Sequence, residues 1–91
     1  MTETPYRLVL SRTATNALTS TLPEKVAAAV YEFLTNALIE NPRRVGKALN
    51  PPLAPAYSAR RGTYRVLYLI DEDRHTVNVT AISHRADAYR T

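Results

Sequence analysis

Apolar positions along the 91-residue chain recur with two different periods, one in each half. Tyr6-Arg7-Leu8-Val9-Leu10, set off by Pro5, is short and β-prone and predicts a first strand. Ser11 can cap a helix opening at Arg12 or Thr13. Ala14, Ala17 and Leu18 then share one face, with Leu22 a turn further on. Pro23 breaks that helix and suits the first turn of the next, where Glu24 complements the helix dipole. From Pro23 to Glu40, Val26, Ala29 or Val30, Phe33, Ala37 and Leu38 recur at three- and four-residue spacing, the strongest helical signal in the chain. Asn41-Pro42 ends it, because a residue before proline is pushed out of the helical region. The tight Thr21-Leu22-Pro23 connection joins the two helices as an antiparallel hairpin.

Beyond Pro42 the helical period is lost. Arg43 to Pro55, rich in proline, reads as a long loop. Tyr57–Arg61 and Tyr64–Ile70 read as strands about Gly62-Thr63, where glycine at the first central position suits a type II′ turn. Tyr64, Val66, Tyr68 and Ile70 point one way, and Arg65, Leu67 and Leu69 the other. Both faces of that strand are partly apolar, so it belongs in the middle of the sheet. Asp71 to His75 is a polar turn. Thr76–Ile82 alternates as a strand with one buried face. Ser83 to Thr91 reads as a short helix or irregular tail. The order β-α-α-β-β-β plus this tail predicts one α+β domain over residues 1–91. Its helical hairpin covers one face of a small, mainly antiparallel sheet, and the other face stays open to solvent or a ligand.

Charge sharpens that picture. The net charge is +4, and it is unevenly placed. Residues 1–41 carry three cations against four carboxylates, a net of −1, whereas residues 42–91 carry nine against four, a net of +5. The asymmetry points to an anionic partner for the second half. There is no cysteine, which excludes disulfides and thiolate metal sites. His75 and His84 lack metal-ligand spacing, so neither a metal nor a cofactor is expected. No signal peptide and no membrane-spanning run stand out, and a cytoplasmic location is expected.

The cations of the second half gather in two clusters. Tyr57-Ser58-Ala59-Arg60-Arg61-Gly62-Thr63-Tyr64-Arg65-Val66-Leu67-Tyr68 puts three arginines and three tyrosines on a hairpin. His84-Arg85-Ala86-Asp87-Ala88-Tyr89-Arg90 lies at the C-terminus. An arginine on a central strand either pairs with a carboxylate or lines a cleft, and few carboxylates lie near the sheet. Arg60 and Arg61 occupy opposite faces, and the strand register decides which of them shares a side with Arg65. Lys47, beside Gly46, is a further cleft candidate, and Arg43 and Arg44 add loop charge. A His or Tyr held near arginines has a lowered pKa, which suits proton transfer at neutral pH.

With its element order, its Leu22-Pro23-Glu24-Lys25-Val26 helix opening, its Asn41-Pro42-Arg43-Arg44-Val45-Gly46-Lys47-Ala48-Leu49 segment and the two clusters, the whole chain resembles the RelE/ParE superfamily of toxins. Within it the resemblance is to the RelE branch of bacterial toxin–antitoxin modules. The resemblance implies ribosome-dependent endoribonuclease cleavage of messenger RNA in the A site, which inhibits translation and arrests growth. A ribose 2′-oxygen attacks the adjacent phosphorus without a metal. It implies catalytic roles for Arg65, Arg85 and Tyr89, with Arg60 as one member of a basic pair and His84 where some relatives carry a catalytic histidine. Ser58 falls where the family carries the other basic residue, so that Lys47 or Arg61 stands in for it. Lys47, Arg61, Arg43 and Arg44 are the expected RNA-binding residues. The implied partners are a cognate RelB-like antitoxin, through which the complex binds operator DNA, and the ribosome with its message. The alternatives are a ParE-like inhibitor of DNA gyrase and a weakened, RNA-binding toxin homologue.

Overall fold

The computed structural model describes residues 4–84. Five strands form one sheet in the order β1-β5-β4-β3-β2. They are β1 (Arg7–Leu10), β2 (Lys47–Ala48), β3 (Tyr57–Arg61), β4 (Tyr64–Asp71) and β5 (Thr76–His84). All neighbours run antiparallel except β1, which lies parallel to β5 at one edge. β4 sits in the centre, as expected of a strand that is apolar on both faces.

The helices are α1 (Arg12–Asn16), α2 (Glu24–Phe33) and α3 (Pro42–Val45). Ser11 caps α1: its hydroxyl oxygen accepts the Ala14 amide at 3.0 Å and its hydroxyl donates to the Thr80 carbonyl at 2.9 Å. The cap thereby ties the helix start to β5. Both helices of the hairpin loosen into π-turns, Ala17–Thr21 after α1 and Leu34–Leu38 after α2. The amphipathic stripe is unbroken by this winding, since Val30, Phe33, Leu34 and Leu38 all face the core. They pack on Ala59, Val66, Tyr68, Val77, Val79 and Ile82 from one face of the sheet. Of the two central residues of the β3–β4 turn, only Gly62 has a positive φ, of 56°, which is the type II′ pattern.

Three features differ from the sequence reading. The segment after Asn41 is not wholly a loop. Pro42 opens α3 because its φ is preset for a first helical turn, and Lys47–Ala48 pairs with β3 as a short edge strand. β5 runs on to His84, so that Ser83 and His84 belong to the strand and not to a tail. It also carries a bulge at Thr80, between the Leu67↔Ala81 and Tyr68↔Val79 pairs. The remainder of the expected C-terminal helix or tail lies outside the described residues. Among the described residues, no helix is long and apolar enough to cross a membrane.

Candidate active site

Strand register decides which cations meet. Arg60 on β3 stands directly opposite Arg65 on β4, so the two share a face. Lys47 on β2 stands opposite Ser58, which in turn faces Leu67. Because side chains alternate along a strand, Ser58 and Arg60 lie on one side. Lys47, Ser58, Arg60 and Arg65 therefore gather on the face that the helices leave open. All three cations are exposed. Among the described residues none of them has a carboxylate partner, the recorded ion pair being Arg43–Glu72. Two guanidinium groups directly across a strand pair, with Cβ atoms about 5 Å apart, repel each other. A bound anion converts that repulsion into attraction for both.

Lys47 reaches this face through a tight local arrangement. Tyr68 is fully buried and donates its hydroxyl to the Pro42 carbonyl at 2.5 Å, which fastens α3 to the sheet. The Tyr68 ring stacks on Tyr57, with centroids 5.6 Å apart. Burial, aided by the neighbouring Tyr57 and opposed by Arg61, pushes the Tyr68 phenol up to about 12. It remains a hydrogen-bond donor throughout the neutral range. Gly46 crosses directly over this hydroxyl. A Cβ there would overlap it and lie 2.9 Å from the Ser58 carbonyl oxygen. Glycine is thus required by close approach, and it lets β2 lie against β3 with Lys47 facing Ser58.

The other candidate residues are dispersed. Arg61 falls on the helix-bearing face, with its guanidinium 5.0 Å from the centroid of the Phe33 ring. It braces the hairpin tip against α2 and lies on the opposite side of the sheet from Arg65. Tyr64, beside it, packs edge-on to Phe33 at 6.4 Å, and burial raises its phenol pKa. His84 closes β5 opposite Tyr64, which assigns it by register to the same helix-bearing face. Arg43 is ion-paired to Glu72, and Glu72 also accepts from the Tyr6 hydroxyl at 2.9 Å. Tyr6 stacks on His75 at 3.9 Å. These contacts bind the chain's start, α3 and the β4–β5 turn together, so Arg43 is engaged structurally. Arg44 is exposed on α3. Arg85 and Tyr89 lie outside the described residues.

Sequence reasoning did not foresee the roles of Gly46 and Tyr68. A signal was present, in that one of the chain's two glycines directly precedes the candidate lysine. Nothing local, however, reveals which distant side chain that glycine must accommodate.

The chain as a whole is similar to known proteins. Residues 8–89 match the family model described as ParE toxin of the type II toxin–antitoxin system, parDE. Toxin RelG of Mycobacterium tuberculosis is 48% identical over 86 residues, covering 94% of this chain and 98% of its own length. Toxin RelE of the same organism is 45% identical, covering 94% of this chain and 88% of its own. Among solved structures, the RelBE2 toxin–antitoxin complex of M. tuberculosis superposes with a TM-score of 0.87 at 45% identity, over 90% of this chain and all of that one. The isolated E. coli RelE toxin shares the fold, with a TM-score of 0.71 at 21% identity, over 87% of this chain and 83% of that one. The chain belongs to the RelE/ParE toxin superfamily and to its RelE branch, and it is a toxin of a type II toxin–antitoxin module.

Proposed function

We propose that this toxin is a ribosome-dependent endoribonuclease that cleaves messenger RNA in the A site. The observation that carries the reading is the Arg60–Arg65 pair on the open face, opposed across two strands and without carboxylate partners among the described residues. A ribose 2′-oxygen attacks the adjacent phosphorus, the bond to the 5′-oxygen of the next nucleotide breaks, and a cyclic phosphate and a free 5′-hydroxyl result. Negative charge builds on the non-bridging oxygens of the phosphorane. Guanidinium groups held on rigid strands are placed for that charge before the reaction begins. Arg85 and Tyr89 complete the set in the family resemblance, with Tyr89 giving or taking a proton at a reacting oxygen. The open face is shallow, and the ribosome supplies the orientation of the RNA. His84, where some relatives carry a catalytic histidine, is assigned by register to the helix-bearing face.

A RelB-like antitoxin is the proposed partner, by likeness to the solved toxin–antitoxin complexes, and the assembled pair binds operator DNA through the antitoxin. The matching family model is named for ParE, which favours a second reading, inhibition of DNA gyrase without RNA cleavage. Expression of the toxin alone separates the two. Growth arrest with A-site breaks seen by primer extension, both relieved by Arg65→Ala, supports cleavage. DNA damage without breaks in the message supports the gyrase reading.

A further inference from the structure

We propose that Lys47 and Ser58 form a second phosphate subsite, which holds the RNA backbone one phosphate away from the reacting one. The inference rests on the RNA-cleaving reading for the nature of its ligand, and it adds a place for the strand to run.

The open face carries its polar groups in two rows. One row is Arg60, Arg65 and Ser83 across β3, β4 and β5. The next is Lys47, Ser58, Leu67 and Ala81 across β2 to β5. Two residues along a strand separate the rows by about 6.7 Å, close to the spacing of neighbouring phosphates in an extended single strand. Lys47 and Ser58 suit a phosphate in complementary ways. The ammonium is a point charge, and the hydroxyl is a directional donor. Neither has a partner among the described residues. Ser58 is half-buried, and Lys47 is exposed opposite it in register on the edge strand.

The site is also bounded. Further along the same face, past the Leu67–Ala81 row, lies an open depression lined by Leu69, Asn78, Asp71, Glu72 and Asp73. Glu72 is paired with Arg43, and the carboxylates of Asp71 and Asp73 repel a polyanion. A strand lying on the arginine row therefore continues toward Lys47 and the β2 edge, and not toward the β4–β5 turn. Single-stranded nucleic acids bind in such basic tracks along the backbone.

The subsite is tested by binding, independently of cleavage. The antitoxin-free toxin is titrated with a fluorescent 2′-O-methyl oligoribonucleotide, whose blocked 2′-oxygens prevent reaction. Lys47→Ala is expected to reduce the slope of log affinity against log salt by about 0.7, the value for one phosphate contact on a single strand. Ser58→Ala is expected to weaken binding at every salt concentration with the slope unchanged. A neutral methylphosphonate linkage is then moved along the oligomer. One position should make wild type and Lys47→Ala bind equally, and the adjacent position should do so for Arg65→Ala. An unchanged slope in Lys47→Ala overturns the subsite, and so does a single linkage accounting for both variants. Lys47 would in that second case serve the reacting phosphate. If the binding results hold while wild type fails to cut messages on programmed ribosomes, the cleavage reading falls and the subsite stands.

Discussion

Gly46 is the position where one added methyl group should disturb the site most. Its φ of −136° and ψ of −177° are open to any residue, so alanine meets no backbone strain. The unfolded chain even loses freedom, which favours Gly46→Ala by about 0.4–1 kcal/mol. Against this, the new Cβ overlaps the Tyr68 hydroxyl and lies 3.0 Å from its ring carbon Cζ. Tyr68 is fully buried and stacked on Tyr57, so it has nowhere to retreat. Overpacking of this kind costs about 1–3 kcal/mol. Displacing the hydroxyl from the Pro42 carbonyl leaves buried polar groups unsatisfied, at a further cost of about 1–3 kcal/mol. The net expectation is a loss of about 1–6 kcal/mol, a large share of the ~5–15 kcal/mol that holds a domain folded. Urea unfolding followed by circular dichroism measures it. In the Tyr68→Phe background the overlapping oxygen is gone, and Gly46→Ala should cost at least about 1 kcal/mol less. Equal costs in the two backgrounds, or a single-variant loss below about 0.5 kcal/mol, would refute the close-approach argument.

Two further outcomes follow from the tyrosine and arginine packing. Tyr68 keeps its proton in the folded state up to about 12, against 10.0 for an ordinary tyrosine. Its stabilising contribution is fully present below the ordinary value and is lost as pH rises through the folded one, amounting to about 2–3 kcal/mol in all. Urea midpoints should fall over that alkaline window, and a slope as steep in Tyr68→Phe would show that another group is responsible. Arg61→Ala removes the cation–π contact with Phe33 and should cost about 0.5–1 kcal/mol of stability. Its RNA-binding salt slope should match wild type, and a drop of about 0.7 would return Arg61 to the RNA-contacting set.

Much of the fold was legible because its signals are local. The Ser11 cap, the Pro23 and Pro42 breaks, the helical stripe and the Gly62 turn each act within a few residues. The central placement of β4 followed from its two apolar faces. What escaped was set by distant partners. Lys47–Ala48 is too short to announce a strand, and it becomes one only because Gly46 passes over Tyr68 and β3 offers a free edge. The bulge at Thr80 and the extension of β5 to His84 answer to pairing with β4, which no local pattern encodes. The site follows the same division. Alternation alone put Arg60 and Arg61 on opposite faces, but only register could give Arg60 to Arg65 and Arg61 to Phe33. Among the loop cations, sequence singled out Lys47 beside Gly46 and left Arg43 and Arg44 as loop charge. The structure adds that Arg43 is ion-paired to Glu72 and that register sets Lys47 opposite Ser58.

The central claim is that Arg65, on the open face, stabilises the charge of a phosphorane formed in ribosome-bound message. Single-turnover cleavage of an A-site codon by wild type and Arg65→Ala, at saturating toxin and with folding checked by circular dichroism, tests it most directly. Loss of one preorganised donor should slow the chemical step about 10²–10³-fold while the variant remains folded. A cleavage rate within a few-fold of wild type would contradict the account.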